Sequence, residues 1–591
     1  MTRTILTVVP VAVLLGLAGC WNFDGHEGGN NTNLNNDNTN GNDNTNTNTN
    51  TNSDPITGEF QESYLLSGER KLDLLFVIDN SGSMAGEQAQ LRANFGTLIN
   101  ELRDMFGGLP DLHVGVTTTD LGTGMFQITY CQMGGDAGAL QTGLCANPTG
   151  APYIVDTEPQ GCTIAKNPDN TCTTHDCVPT DCVAEPSSTF VVDSATGCPR
   201  CRNYGGEALV DVFSCVADLG TMGCGFEQPL EAMYKALDPG NMTNAGFVRD
   251  NAYLAVVFVT DEDDCSAADP QLFDTTQIDI GSTLGPLTSY RCFEFGITCD
   301  IDERTHQGLR QNCVPREDTS AMLHPVSRYA NQLLGLKDRR MVVMAALAGP
   351  AAPSAQGEGY DAVIGLDGMS NPQLQFTCTT TMDGAVPGIR LRSLVEQFNV
   401  PGELSSWAYR SICDTNYDAL LGGVGDKLDQ LMGTRCLPAV PAGCADIGAE
   451  LATPTLACGA PNPCVAQCTA VQVSSRFTPG ELRTALTPCL HVLADGSVDP
   501  TNIDPTLAYW SGHPETLDSN LPVEACWHIT HEPGCTQSNQ AAVAVSRQTL
   551  PPPSTYVELS CDHLYPTEAD CENGIDDDQD CLDDNEDPDC Q

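Results

Sequence analysis

The sequence predicts an α/β protein built on a doubly wound, largely parallel sheet. Cysteine-rich insertions interrupt it, and a small β-rich, disulfide-stabilised domain follows. Three observations lead there. Residues 74–78, Leu-Leu-Phe-Val-Ile, form an unbroken apolar run that ends at Asp79. A second run, Tyr-Leu-Ala-Val-Val-Phe-Val-Thr over 253–260, ends at Asp261, and a third covers 341–347. Short runs with no polar interruption fit strands buried on both faces, the usual state in a parallel sheet covered by helices. Between them lie segments with helical periodicity, and strands alternating with helices are the signature of such a sheet.

The elements follow in order. Leu91, Phe95, Leu98, Ile99, Leu102 and Phe106 recur at three- and four-residue intervals, one apolar stripe of an amphipathic helix ended by Gly107 and Gly108. A second strand is expected over 112–117, where a lone histidine, His113, reads as structural. From 121 to 222 the periodicity is lost and Cys, Gly, Pro and Thr dominate, as expected of a disulfide-stapled insertion. Another irregular stretch covers 266–316. Helices are expected over 322–336, 390–398 and 417–432, the last with Leu420, Leu421, Val424, Leu428 and Leu431 on one face.

The chain start reads as an export signal. Arg3 precedes an apolar run over 5–17, too short to span a bilayer, and Leu-Ala-Gly-Cys at 17–20 looks like a bacterial lipobox with Cys20 as the lipidated residue. Two or more acyl chains would anchor it stably, since each buried methylene contributes about 0.8 kcal/mol. Residues 25–54 are almost entirely Asn, Thr, Asp and Gly, with too little apolar surface to offset ordering entropy. Such a tether has a root-mean-square reach of about 30 Å. The expected organisation is a signal peptide over 1–19, lipidated cysteine and tether over 20–62, the α/β domain over 63–437, a Cys-rich β domain over 438–565 and an acidic tail over 566–591.

Cysteine usage agrees with export. Of 29 cysteines, setting aside Cys20 leaves 28, an even number in an oxidising compartment, so disulfides are expected. The alternative is zinc at Cys162, Cys172, His175, Cys177, Cys182, Cys198 and Cys201, but no second CxxC stands at zinc-ribbon spacing. The net charge of −52, from 78 acids against 26 bases, excludes nucleic acid and anionic lipid surfaces as direct ligands and favours divalent cations.

The chemistry concentrates at Asp79-Asn-Ser81-Gly-Ser83, which follows the first strand and places three oxygen ligands where open α/β sheets hold their ligands. The pattern resembles the metal-ion-dependent adhesion site (MIDAS) of von Willebrand factor A domains. The wider arrangement is similar to cysteine-rich lipoproteins of that family in myxobacteria-like Gram-negative bacteria. The resemblance implies a Mg²⁺, Mn²⁺ or Ca²⁺ ion held by Asp79, Ser81, Ser83 and Asp261, with a protein partner's carboxylate completing the coordination. It also implies a threonine ligand from the loop before a helix, but here Cys224 or Glu227 stands nearby, and Thr221 is a weaker substitute. Glu227 either coordinates directly or occupies the first turn of its helix. The glycine that follows the second aspartate in the family is replaced by Glu262-Asp263-Asp264-Cys265, read as either an enlarged calcium-type site or a solvated loop.

Two further motifs are weaker. Cys526-Trp-His528-Ile-Thr-His531-Glu532 lacks the HExxH order that sets two histidines on one helical face. In the tail, Asp576, Asp578, Asp580 and Asp584 resemble calcium-binding Asp-rich repeats, without the Gly and Glu of an EF-hand. The expected function is a lipid-anchored envelope protein, at the outer membrane, that adheres to a protein ligand through a metal and is not an enzyme. The alternatives are an envelope scaffold and a metal-assisted hydrolase using Asp261 with Glu262 or Asp263 as base.

Overall fold

A computed structural model describes residues 70–437 with short gaps at 106–107, 183–187, 319–321, 381–383 and 433–436 and at single positions. It also describes the strand at 58–65 and strands within 468–563. Cys20, the tether over 25–54 and the acidic tail, with Asp576, Asp578, Asp580 and Asp584, lie outside the described residues. Among the described residues no helix is long and apolar enough to cross a membrane.

The organising sheet has eight strands. Strand β1, Gly58–Leu65, belongs elsewhere, and β2, Lys71–Ile78, runs through the middle. Helix α1 is Ala85–Asp104, followed by β3, Asp111–Thr118, and β4, Ile154–Thr157. The order is Tyr409–Ser411, Val342–Ala348, Tyr253–Val259, β2, β3, β4, Pro199–Arg202, Thr189–Val192. The first five are mutually parallel. The last three are antiparallel.

This corrects the expected doubly wound, largely parallel sheet to a mixed sheet within a β-rich chain. A seven-stranded, mainly antiparallel sheet joins β1 to the strands of 468–563, and a four-stranded antiparallel sheet is built from Ile297–Thr298, Gly308–Pro315, Tyr360–Leu366 and Pro372–Leu374. The physical reason is the kind of connection. The parallel neighbours are joined by crossovers that contain helices. Among the described residues the links from β3 to β4 and from β4 to Pro199–Arg202 contain no α-helix, so nothing carries the chain back to the starting end of the sheet and the strands pair antiparallel. The 121–222 stretch, expected only as a disulfide-stapled insertion that interrupts the sheet, supplies three of its strands.

The parallel region follows its apolar runs. Residues Leu72 to Ile78 and Tyr253 to Val259 are buried throughout. One face packs α1, through Leu91, Phe95, Leu98, Ile99 and Leu102, together with helix α2, Leu209–Val216, and the Asp418–Met432 helix. Phe76, Phe95 and Phe213 meet there, with Phe95 stacked on Phe213 at 3.5 Å between ring centroids. The other face packs helix α3, Pro229–Ala236, with Val326–Leu336 and Ile389–Glu396.

The antiparallel region is held differently. Pro199–Arg202 reads Pro-Arg-Cys-Arg, yet Arg200 is 4% and Arg202 6% exposed. Asp156, fully buried on β4, accepts from Arg200 Nε at 2.6 Å and from Arg202 Nε at 3.0 Å, and the Tyr204 hydroxyl donates to it as well. Disulfides do the rest. Cys162–Cys177, Cys172–Cys198 and Cys182–Cys201 consume the cysteines that a zinc site would have needed. Nine disulfides are defined among the described residues, as the even cysteine count predicted.

Candidate metal centre

Three parallel strands end side by side and deliver their next residues to one crevice. Register pairs Ile78 with Thr118 on one side and with Val259 on the other, so Asp79, Thr119 and Thr260 form a row just beyond the strand ends. All three are fully buried. Asp79 is the middle member. Its backbone N–H donates to the Val259 carbonyl at 2.9 Å, continuing the ladder one residue past the strand.

The loop that follows is self-supporting. The Ser81 N–H donates to Asp79 Oδ1 at 2.7 Å and the Thr260 hydroxyl donates to Asp79 Oδ2 at 2.8 Å. The Ser81 and Ser83 hydroxyls lie 3.3 Å apart, so both face one space, and the Ser83 hydroxyl is near enough to the Asp261 carboxyl to favour its ionised form. Gln88, in the first turn of α1 and buried, donates to the Asp79 carbonyl at 2.8 Å and to the Gly220 carbonyl at 3.0 Å. Gln88 was missed in the sequence; its signal is a polar residue in register with the Leu91 and Phe95 stripe.

The 220–227 segment closes the crevice from the far side. The Gly223 N–H donates to the Asn80 carbonyl at 2.8 Å, and Cys224 is tied to Cys131 by a disulfide. A Cβ on Gly223 would lie 2.1 Å from Asn80 Oδ1 and 2.4 Å from its Cγ. Gly223→Ala is therefore expected to push the Asp79–Ser83 loop out of place, with a stability cost of about 1–3 kcal/mol by overpacking, read as a lower midpoint in urea. Glu227 is 2% exposed, directly before α3.

Electrostatics mark the crevice. Burial pushes the Asp79 carboxyl up, only partly offset by the Ser81 and Thr260 donors. Burial, reinforced by Asp79 and Glu262, pushes Asp261 up to about 8. Burial and the charges of Glu262, Asp79 and Asp261 raise Glu227 well above the ordinary carboxylate range. Carboxyls crowded in this way resist ionising together unless a cation lies among them.

The remaining acids of the third loop face elsewhere. Asp263 accepts from the Arg390 backbone N–H at 3.0 and 3.1 Å, at the start of the Ile389–Glu396 helix. Burial lifts Asp263 to about 6, with the Arg390 N–H and its charge opposing. Asp264 is buried against the Arg390 guanidinium and the Leu230 N–H. So this sequence is neither a solvated loop nor a set of extra ligands, because Asp263 and Asp264 anchor helix starts and only Glu262 remains beside Asp261.

The donor set suits a hard cation. It is all oxygen, and two buried oxygens in it have no protein partner: Asp261 Oδ1 and Thr119 Oγ1. An unpartnered buried polar atom costs about 1–3 kcal/mol, so each is a place for a ligand atom. Each Asp79 oxygen accepts one hydrogen bond and retains a lone pair. Asp79, Asp261 and Glu227 do not gather as a trio. Among the described residues the only three His, Cys, Asp or Glu ligand atoms within 4.8 Å of one another belong to Cys162, Asp176 and Cys177, where the two sulfurs are bonded to each other. A cation in the crevice would therefore be held by hydroxyls with one or two carboxylates. His528 and His531 fall in strand Ala525–His531, outside any helix.

No protein family matches the chain, and no curated protein matches it. Solved structures superpose only loosely. They include the pilus adhesin SpaC from Lactobacillus rhamnosus GG, at 7% identity and a TM-score of 0.26, covering 86% of this chain and 41% of that one. The adhesive tip pilin GBS104 from Group B Streptococcus agalactiae aligns at 9% identity and a TM-score of 0.22, covering 85% and 81%. The pilus adhesin RrgA from Streptococcus pneumoniae aligns at 9% identity and a TM-score of 0.17, covering 87% and 59%. This chain thus spans about two fifths of the length of SpaC. At these scores the likeness carries no argument.

Proposed function

We propose that this chain is a lipid-anchored cell-envelope protein that adheres to a protein partner through a divalent cation, in the manner of the von Willebrand factor A adhesion site. The observation that supports it is the convergence of Asp79, Ser81, Ser83 and Asp261 on one strand-end crevice, where Asp261 Oδ1 is buried without a protein partner. Mg²⁺, Mn²⁺ or Ca²⁺ would fit its oxygens. When bound, such an ion supplies an electropositive coordination position for the partner's carboxylate. Asp79 and the two serines hold the cation side, while Thr260 and Gln88 fix the orientation of the Asp79 residue. Glu227 lines the crevice, with burial and the neighbouring acids favouring its protonated form, rather than joining both aspartates in one carboxylate cluster. Cys20 would carry the anchor, the Asn/Thr tether would hold the folded part away from the membrane, and Asp576, Asp578, Asp580 and Asp584 would take Ca²⁺ in the tail.

The test is calorimetric titration of the full mature chain with Mn²⁺. Asp79→Ala is expected to remove one high-affinity equivalent and to abolish chelator-sensitive adhesion of cells bearing the protein, with the tail sites untouched. If the parent takes up no cation beyond what Asp79→Ala also takes up, the reading fails.

A further inference from the structure

The sequence leaves the site one hydroxyl short, since no threonine stands in the 223–227 loop. The structure places an unused hydroxyl beside that loop. Thr119 follows β3 and lies level with Asp79, because Ile78 and Thr118 are register partners in parallel strands. Residues level with each other in neighbouring strands sit about 5 Å apart and project their side chains to the same face. The other neighbour of Asp79, Thr260, already spends its hydroxyl on Asp79 Oδ2. Thr119 does not, for its Oγ1 is buried and has no protein partner, although the residue is fully buried. Its carbonyl accepts from the Gln228 N–H at 3.0 Å, which seats Thr119 against the residue that follows Glu227.

We infer that the Thr119 hydroxyl is a ligand of the cation, supplying from the second strand what the loop before α3 lacks. This rests on the reading of the Asp79 crevice as a cation site. The chemistry is consistent, since a neutral hydroxyl adds a hard oxygen without adding charge to a crevice already crowded by Asp79, Asp261, Glu227 and Glu262. The alternative occupant of that lone pair is a structural water, which makes a different prediction.

Thr119→Val keeps the shape and removes the oxygen, and Thr119→Ser keeps the oxygen. In the full mature chain, Mn²⁺ affinity is expected to fall at least about tenfold in the valine variant and to hold at the parent value in the serine variant. With chelator present, the serine variant should melt as the parent does and the valine variant no lower, since it buries no unpartnered hydroxyl. A valine variant that binds Mn²⁺ as the parent does overturns the inference, and a lower melting temperature in chelator then assigns the hydroxyl to water. Thr119→Cys gives a second readout that does not depend on the valine variant folding. A thiolate in the coordination sphere should draw in Cd²⁺ and show sulfur-to-cadmium absorption in the ultraviolet, and a variant without that band also overturns it. Should the parent bind no Mn²⁺ at all, the cation site itself is lost, an outcome distinct from a failure of Thr119 alone.

Discussion

Asp156→Ala is expected to destabilise the protein by about 3–5 kcal/mol, the cost of leaving buried charge without its partner. Asp156 is the common acceptor for Arg200, Arg202 and Tyr204, and its own carbonyl accepts from Arg200 Nη2 at 2.7 Å. Burial alone would raise its carboxyl, but the charges of Arg200 and Arg202 hold it below the usual range. The arginines have other contacts: Arg200 reaches the carbonyls of Leu109 and Pro110, and Arg202 reaches Asp193. None of these replaces two bonds to one carboxylate in the interior. Urea denaturation of the variant at neutral pH measures the effect, and a loss under about 1 kcal/mol would show that the network relaxes or hydrates freely. Mn²⁺ affinity should change little, because the network lies at β4 rather than at the strand-end crevice.

The second large effect is a pH dependence that a cation should reverse. Asp261 is raised to about 8, by burial first and then by Asp79 and Glu262, against 3.8 as its ordinary value. The folded chain therefore keeps a proton that the unfolded chain releases, so this contribution to stability is complete below about pH 4. It is lost as pH rises from about 4 to about 8 and is flat beyond. Glu227 shifts in the same direction, by burial and by Glu262. In chelator, the melting temperature is expected to fall by about 10 °C between pH 5 and pH 9, corresponding to a loss of several kcal/mol. Acid below about pH 4 works the other way, since Asp156, Glu158 and Asp193 are held low despite burial by their arginine and lysine partners. The cation-free optimum should thus lie near pH 5. Saturating Mn²⁺ should lift the alkaline side, because the ion takes over the proton's place. A melting curve that is flat from pH 5 to 9 with and without the metal would contradict this account.

What could be read from the sequence tracks what held each part together. Strands 71–78 and 253–259 were legible because burial on both faces demands an unbroken apolar run. Helix α1 was legible because one face packs and the other does not. Strand direction was not legible, since an apolar run looks the same either way and only the connection decides it. Pro199–Arg202 left no apolar trace at all, because Asp156, on the neighbouring strand but 44 residues back from Arg200 in sequence, offsets its arginines. At the site, Asp79, Ser81, Ser83 and Asp261 stood out by their place after buried runs. Thr119 stood after a run just as clear, but its neighbour Thr118 bonds Asp136 and nothing local separates the two threonines. Asp263 and Asp264 could not be placed from the sequence because their partners are remote in it: Arg390 lies 127 and 126 residues further on, and Leu230, which also donates to Asp264, lies 34 residues back.

Strand β1 pairs residue for residue with Tyr556–His563, from Gly58 opposite His563 to Leu65 opposite Tyr556. The Tyr556–His563 strand has β1 on one side and Cys468–Ser474 on the other, the latter also joined to it by Cys468–Cys561. An early and a late stretch of the polypeptide are thereby spliced into one sheet, so the folded body cannot be trimmed to begin at the first motif strand. A chain started at Lys71 would turn an interior strand into an edge and leave eight residues of backbone open to another chain.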